Sequence, residues 1–287
     1  MLQASVFTDE ISRDFDEAVQ TAAGAGLRFV DIRNAWGKSV AHFDRADRDR
    51  MAETLRRHDV KLGVIQSPFG KCDIADEAYG TALDELSTMF EIAHDFGVTV
   101  LRVFPFWSSD QSRERIRPSL PPMLPKIADR LRRATDRAER EGLVLALEPE
   151  HATYGGSVSE VCAIIDAVGS PALQIAWDVN NGWYAEPIFP DAWNLVQGRV
   201  ANVHVKEQAF LPEESRGRRM PTLLGAGVIP WPEVIARLRE CGYQGLYSIE
   251  THFGSRGPYG WQKLKAATIY YMYALRELLE ADAVVRS

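Results

Sequence analysis

The sequence has no apolar run near the roughly 18 residues needed to span a bilayer, so a membrane-spanning protein is not expected. Its first residues, MLQASVFTDEISRDF, are acidic and lack the apolar centre of an export signal. It has only three cysteines, Cys72, Cys162 and Cys241, widely spaced and without a CxxC pair, which argues against a disulfide framework or a zinc knot. Together these absences point to a soluble protein of the reducing cytoplasm. Positive charge is also short, with 33 Lys and Arg against 40 Asp and Glu for a net charge of −7. Phosphate-backbone recognition relies on a basic field, so neither nucleic acid nor an acidic membrane is an expected partner. No GxGxxG follows an early strand, and no linker divides the chain, so one domain over residues 1–287 is expected.

What is present is a strand-helix alternation. Short apolar runs predict strands at Ala4 to Phe7, Phe29 to Ile32, Leu62 to Ile65, Val100 to Phe104, Leu143 to Leu147, Leu173 to Trp177, Val200 to Val205 and Leu246 to Ile249. Between them, amphipathic patterns predict helices at Phe15 to Ala25, Arg45 to His58, Ala75 to Phe96, Leu124 to Glu141, Val158 to Val168, Pro190 to Gln197, Pro232 to Cys241 and Trp261 to Glu280. Stop-type glycines precede several strands, as in HDFGVTV and EREGLVL. Eight such units define the α/β class and a single (β/α)8 barrel, with a doubly wound open sheet as the runner-up. Two irregular stretches, Ser108 to Pro125 and Gln208 to Pro232, both follow strands, where a barrel keeps its active-site loops.

Four of the later apolar runs end in a ligand-type residue: LVLALE in Glu148, LQIAWD in Asp178, VANVHV around His204 and LYSIE in Glu250. One such acid after a strand is often a helix cap or a solvated loop residue. Four at the same end of four strands describe a converging site. Three carboxylates sharing a cavity would repel one another and take up protons unless a divalent cation lay between them. Three oxygens and one imidazole with open positions suit Mn²⁺, Mg²⁺ or Co²⁺ better than a closed zinc site.

The set Glu148, Asp178, His204 and Glu250, in the contexts LALEPEH, WDVNN, NVHVKE and SIETH, resembles the sugar phosphate isomerase/epimerase family of xylose isomerase-like TIM barrels, which includes the ketose 3-epimerases. The TDEIS opening and the segment GAGVIPWPEVIARLRECGYQG extend the resemblance over nearly the whole chain. It implies one bound Mn²⁺-like ion, and it implies that Glu148 and Glu250 also exchange protons with a sugar substrate. Two carboxylates on opposite faces of a planar enediolate give epimerisation, and one face used twice gives isomerisation. The chain departs from the ketose 3-epimerases at Asn181, where they hold the substrate with a histidine. Asparagine can bond a hydroxyl but takes up no proton near neutral pH. That departure keeps open a metal-dependent lyase or hydratase acting on a 3-oxo-sugar or 3-oxo-glycoside. A non-catalytic sugar-binding barrel and an endonuclease IV-like nuclease are further alternatives; the nuclease would need more His and carboxylate ligands and a less acidic chain.

Other polar residues near strand ends are candidates for substrate contact. Lys206 lies two residues past His204, on the same side of its strand, and either faces an enediolate oxygen or pairs with Glu207 at the rim. Arg33, Gln66 and Arg102 stand at the ends of strands two, three and four, as substrate contacts or as ordinary ion pairs and a satisfied amide. His151 and His252 follow the two glutamates closely and are read as supporting or proton-relay residues. His42, His58 and His94 are read as surface residues. Arg216, Arg218 and Arg219 are either a solvated loop or an anion clamp. Phe7, Trp36, Phe106, Trp107, Trp183, Tyr184 and Phe253 follow strands and can wall a sugar site, although single aromatics are often ordinary packing. Tyr270, Tyr271, Met272 and Leu275 read as core or as a face for a second copy of the chain.

Overall fold

The chain is described by a computed structural model over residues 3–107, 119–183, 186–210, 219–254 and 259–284. The expected eight strands are all formed: β1 (Ala4–Val6), β2 (Phe29–Ile32), β3 (Lys61–Ile65), β4 (Val100–Val103), β5 (Val144–Leu147), β6 (Leu173–Asp178), β7 (Val200–Val205) and β8 (Leu246–Ile249). They pair in the order β1-β8-β7-β6-β5-β4-β3-β2, every pair parallel, and a parallel bridge between Phe7 and Asp31 joins the first strand to the second. The result is a (β/α)8 barrel.

The helices around the ring are α1 (Phe15–Gly24), α2 (Arg45–His58), α3 (Asp76–Phe96), α4 (Leu124–Arg140), α5 (Val158–Val168), α6 (Trp193–Val196), α7 (Trp231–Glu240) and α8 (Gly260–Val284), and a further short helix, Val179–Trp183, follows β6 directly. Local chemistry sets their starts. Asp14 accepts from the Asp16 and Glu17 amides ahead of α1, and reciprocal capping boxes, Asp44 with Asp47 and Ser157 with Glu160, open α2 and α5. The sixth helix is shorter than its sequence pattern. Phe189 is extended (φ −126°, ψ 139°) and Pro190 has no amide to donate, so the regular α-turn is confined to Trp193–Val196. The stretch expected to be irregular after β7 contains an antiparallel hairpin, Gln208–Phe210 with Arg219–Pro221. In the loop after β4, residues 108–118 lie outside the described residues, as do Tyr184, Arg216 and Arg218. Among the described residues no helix is long and apolar enough to cross a membrane.

Most of the apolar core lies between the outer face of the ring and the helices, where Leu101, Leu145, Ile175, Val203 and Tyr247 meet Phe90, Leu131, Ile164, Val234 and Leu275. The inside of the barrel is more polar. Ser5 donates to Asp31 (3.0 Å), Gln66 to Asp31 (3.1 Å) and Asn202 to Ser248 (2.8 Å), all of them buried. Burial pushes the Asp31 carboxyl up, and hydrogen bonds from Ser248, Gln66 and Ser5 act against it. Because side chains alternate along a strand, the residues two before the four ligand candidates fall in this layer: Ala146, Ala176, Asn202 and Ser248. All four are buried and none is large.

One backbone approach fixes the loop after β3 against β4. Gly70 has φ +78°, and a Cβ there would overlap the carbonyl oxygen of Phe104. Gly70→Ala is expected to destabilise the barrel by about 2 kcal/mol or more, combining left-handed strain with the clash. Urea unfolding measures it, and an unchanged midpoint would show that this loop is not held as described.

Candidate metal centre

Glu148, Asp178, His204 and Glu250 stand at the same ends of four adjacent strands, β5 to β8, with Asp178 and Ser248 both in register with His204. All four are buried, none more than 2% exposed. Each carboxylate has one oxygen held by a donor on the flank. Arg102 donates to Glu148 Oε2 (3.0 Å), Arg33 to Glu250 Oε1 (2.7 Å) and the Asn181 amide to Asp178 Oδ1 (2.8 Å). The opposite oxygens face inward. Glu148 Oε1, Asp178 Oδ2 and Glu250 Oε2 lie 3.5, 3.9 and 3.4 Å from His204 Nδ1. Ligand atoms about 2.1 Å from a shared cation stand about 3.0–3.5 Å apart; the two glutamate oxygens meet that spacing and Asp178 Oδ2, at 3.9 Å, is slightly wider. The imidazole supports the same fit, because neither ring nitrogen has a hydrogen-bond partner among the described residues, although the ring is fully buried. The cluster of three carboxylates and one imidazole can hold a metal ion.

The electrostatics show how tightly the charges are coupled. Burial works against ionised Glu148, but His204, Arg102 and Lys206 outweigh it and hold the carboxyl well below its ordinary range. Glu250 is held low in the same way by Lys206, His252, His204 and Arg33. At Asp178 burial prevails, reinforced by Glu148, and the carboxyl is pushed up to about 6. Burial opposes a charged His204, yet Glu148 and Glu250 raise the ring to about 9. Without a divalent cation, a proton on the imidazole supplies part of the neutralising charge; ligation requires the neutral ring, so a cation displaces that proton.

A cavity of about 230 Å³ opens beside the cluster, lined by Glu148, Glu250, Lys206, His252, Arg33 and Arg102 together with Asn34, Ser39, Pro68, Lys71, Phe104 and Glu150. Phe7 sits behind it, its ring edge-on to His204 at 5.4 Å and 4.9 Å from the Arg33 guanidinium. Of the residues expected to touch substrate, Lys206, Arg33 and Arg102 reach this wall. Both arginines are also the partners of cluster carboxylates.

The remaining expected contacts lie elsewhere. Gln66 belongs to the buried layer inside the barrel, and Asn181 is committed to Glu148 Oε1 (3.2 Å) and the Pro149 carbonyl (3.1 Å). Trp107 pairs by its backbone with the segment around Asp73, His151 is exposed on a turn, and Arg219 lies over the Phe210 ring in the hairpin. None of these five lines the cavity. Lys206 does not pair with Glu207 as its alternative reading had it. Glu207 is buried and accepts from the Gln208 and Ile229 amides at 3.0 and 3.2 Å. His58 is only 17% exposed, tucked against Asp16, whereas His42 and His94 are at the surface.

Sequence reasoning missed the acids of the TDEIS segment. Asp9 accepts from Arg33 (2.9 Å) and Asn34 (2.7 Å), and buried Glu10 accepts from the Thr251 amide beside Glu250. With His252 and Glu250, Glu10 forms a second group of ligand-type atoms; the Arg33 guanidinium lies 3.8 Å from Glu10, but burial prevails and pushes that carboxyl up to about 7. The lining residues Asn34, Ser39, Lys71 and Glu150 were missed too. Asn34 and Ser39 pair in a short antiparallel hairpin after β2, and Lys71 and Glu150 sit on loops; none carries a periodic signal.

Fold and site together define a (β/α)8 barrel with a candidate cation cluster at the ends of its last four strands. The family profile described as xylose isomerase-like TIM barrel matches residues 19–268, and the chain belongs to that family. The chain is 27% identical over 201 residues to the L-ribulose-5-phosphate 3-epimerase UlaE of Salmonella paratyphi C, a match covering 64% of this chain and 60% of that protein. Among solved structures, a xylose isomerase-like TIM barrel protein from Mycobacterium smegmatis in complex with magnesium superposes with a TM-score of 0.76 at 15% identity, covering 98% of each chain. D-psicose 3-epimerase in the presence of D-fructose gives a TM-score of 0.73 at 15% identity, covering 99% of each chain.

A direct test of the cluster needs no substrate. Mn²⁺ or Mg²⁺ at a hundred times its Kd is expected to add about 2.7 kcal/mol to the stability of the folded chain. The gain should disappear in Asp178→Asn, as read by thermal unfolding with and without chelator. A wild-type protein indifferent to both ions would remove the metal centre.

Proposed function

We propose that this protein is a divalent-metal-dependent sugar isomerase or epimerase, a single barrel domain over residues 1–287 that works in the cytoplasm with Mn²⁺, or with Mg²⁺ or Co²⁺, at Glu148, Asp178, His204 and Glu250. One observation carries the reading: two buried glutamates share a single cluster, and both also line the adjoining cavity. The likeness to a 3-epimerase of a ketose phosphate supports the substrate class. When bound, the cation would supply positive charge to the oxygens of a ketose or hydroxyaldehyde, lowering the barrier to removal of the neighbouring proton. Everything else falls to the chain. Glu148 and Glu250 are held ionised and can each accept a proton from carbon. Arg102 and Arg33 fix the two carboxylates by their outer oxygens, so the inner oxygens keep their aim. Lys206 and His252 also line that wall.

A second reading, a lyase or hydratase acting on a 3-oxo-sugar or 3-oxo-glycoside, is favoured by Asn181. Where the ketose 3-epimerases use a substrate-holding histidine, this side chain is committed to Glu148 and Pro149. Elimination needs one base at carbon, and the two ionised glutamates satisfy that as well.

NMR in D₂O with Mn²⁺, over free ketoses, ketose phosphates and 3-oxo-glycosides, separates the readings. Deuterium at one carbon of a rearranged sugar is expected for the isomerase or epimerase, whereas release of an aglycone or an unsaturated sugar assigns the lyase. Glu148→Gln and Glu250→Gln are each expected to lower turnover by about 10²–10⁴-fold, and chelation to abolish it until Mn²⁺ is restored. Wild-type rates in either variant would sink the two-carboxylate mechanism.

A further inference from the structure

The flanking cations do not all contact the cluster in the same way. Arg33 and Arg102 bind the outer oxygens of Glu250 and Glu148, leaving the inner ones to converge. Lys206 instead reaches the inner oxygens: its Nζ lies 2.6 Å from Asp178 Oδ2 and 2.9 Å from Glu250 Oε2. These are two of the three carboxylate oxygens gathered around His204 Nδ1. The side chain is only 7% exposed, and its backbone is fixed by the Trp231 indole, which donates to the Lys206 carbonyl at 3.1 Å. The ammonium is therefore a held group rather than a solvated rim charge. Orientation of the ligands does not require it either. Asp178 already takes the Asn181 amide on Oδ1, and Glu250 already takes Arg33 on Oε1.

We propose that Lys206 is a tethered competitor of the divalent cation: it holds the inner oxygens of Asp178 and Glu250 together when the ion is absent and weakens the cluster's grip on the ion when it is present. The inference rests on the metal reading above but not on any substrate. A positive charge at the ligand oxygens repels an incoming cation and occupies lone pairs that it needs. Removing that charge strengthens metal binding and leaves the metal-free cluster with less to offset the repulsion among its carboxylates. A side chain that merely aimed the ligands would behave in the opposite way, since loss of an orienting partner weakens metal affinity.

The experiment is a Mn²⁺ titration of the full chain, reading the free-ion signal by electron paramagnetic resonance, for wild type, Lys206→Met and Lys206→Gln. Thermal unfolding in chelator and in saturating Mn²⁺ accompanies it. Lys206→Met is expected to bind Mn²⁺ at least tenfold more tightly than wild type, and to melt lower than wild type in chelator but not in saturating Mn²⁺. Lys206→Gln keeps a donor without the charge, should shift affinity in the same direction, and decides the matter if the Met variant does not fold without metal. Equal or weaker Mn²⁺ binding in the variants, with wild type binding normally, overturns the competitor and spares the metal centre. Failure of all three proteins to bind Mn²⁺ overturns both.

Discussion

Three carboxylates buried within reach of one imidazole are the constraint on which the mouth of this barrel is built. Unpaired, such charges would take up protons or unfold the site. The chain answers with three cationic side chains, each placed on a different part of the problem: Arg102 on Glu148, Arg33 on Glu250, and Lys206 between Asp178 and Glu250. Such pairs add little net stability, because desolvating both partners offsets most of their attraction, but losing one partner strands a buried charge. What they supply is aim. The two arginines hold the outer oxygens and turn one oxygen of each glutamate inward, and the backbone amide of Asn181 does the same for Asp178.

That arrangement requires a barrel stabilised mainly elsewhere. The apolar contacts lie between the ring and its helices, while the inside carries Ser5, Asp31, Gln66, Asn202 and Ser248 in a hydrogen-bonded layer. Small or polar residues two positions before each ligand follow from the two-residue period of a strand. A bulky aliphatic there would lie directly against the ligand side chains. The polar interior and the buried charge cluster are thus consequences of one choice, which is to let the outer interface hold the fold and to keep the inside for chemistry.

The features legible in the sequence are those with a local signal. A buried parallel strand is a short apolar run, and an acid or histidine closing it is visible without any neighbour; hence the eight strands and the four cluster residues stand where the sequence suggested. Lys206 was visible for the same reason, being two residues past His204 and therefore on its side. The partners of the arginines were not. Arg33 and Arg102 end strands far in sequence from Glu250 and Glu148, so nothing local distinguishes a carboxylate clamp from a substrate contact. The acids of TDEIS, which meet Arg33 and the Thr251 amide across the closure of the ring, are illegible on the same ground. The sixth helix misled because its pattern, Pro190 to Gln197, opens on a proline that follows the extended Phe189, whereas the regular turn begins only at Trp193.

The division between legible and illegible parts also explains why a cation cluster is easier to infer than a reaction. The cluster is built from strand ends, which the barrel fixes to within the tolerance of its hydrogen-bond register. The wall that would meet a substrate is drawn largely from the segments that follow the strands, through Asn34 and Ser39 of a short hairpin and Lys71 and Glu150 of loops. Two barrels can share every strand and every ligand yet present different walls, and it is the wall that decides which face of a planar intermediate is open and where a leaving group finds its proton. Asn181 makes the point within this chain. It stands three residues past Asp178, yet its side-chain donors are turned onto Glu148 and Pro149, and it does not line the cavity.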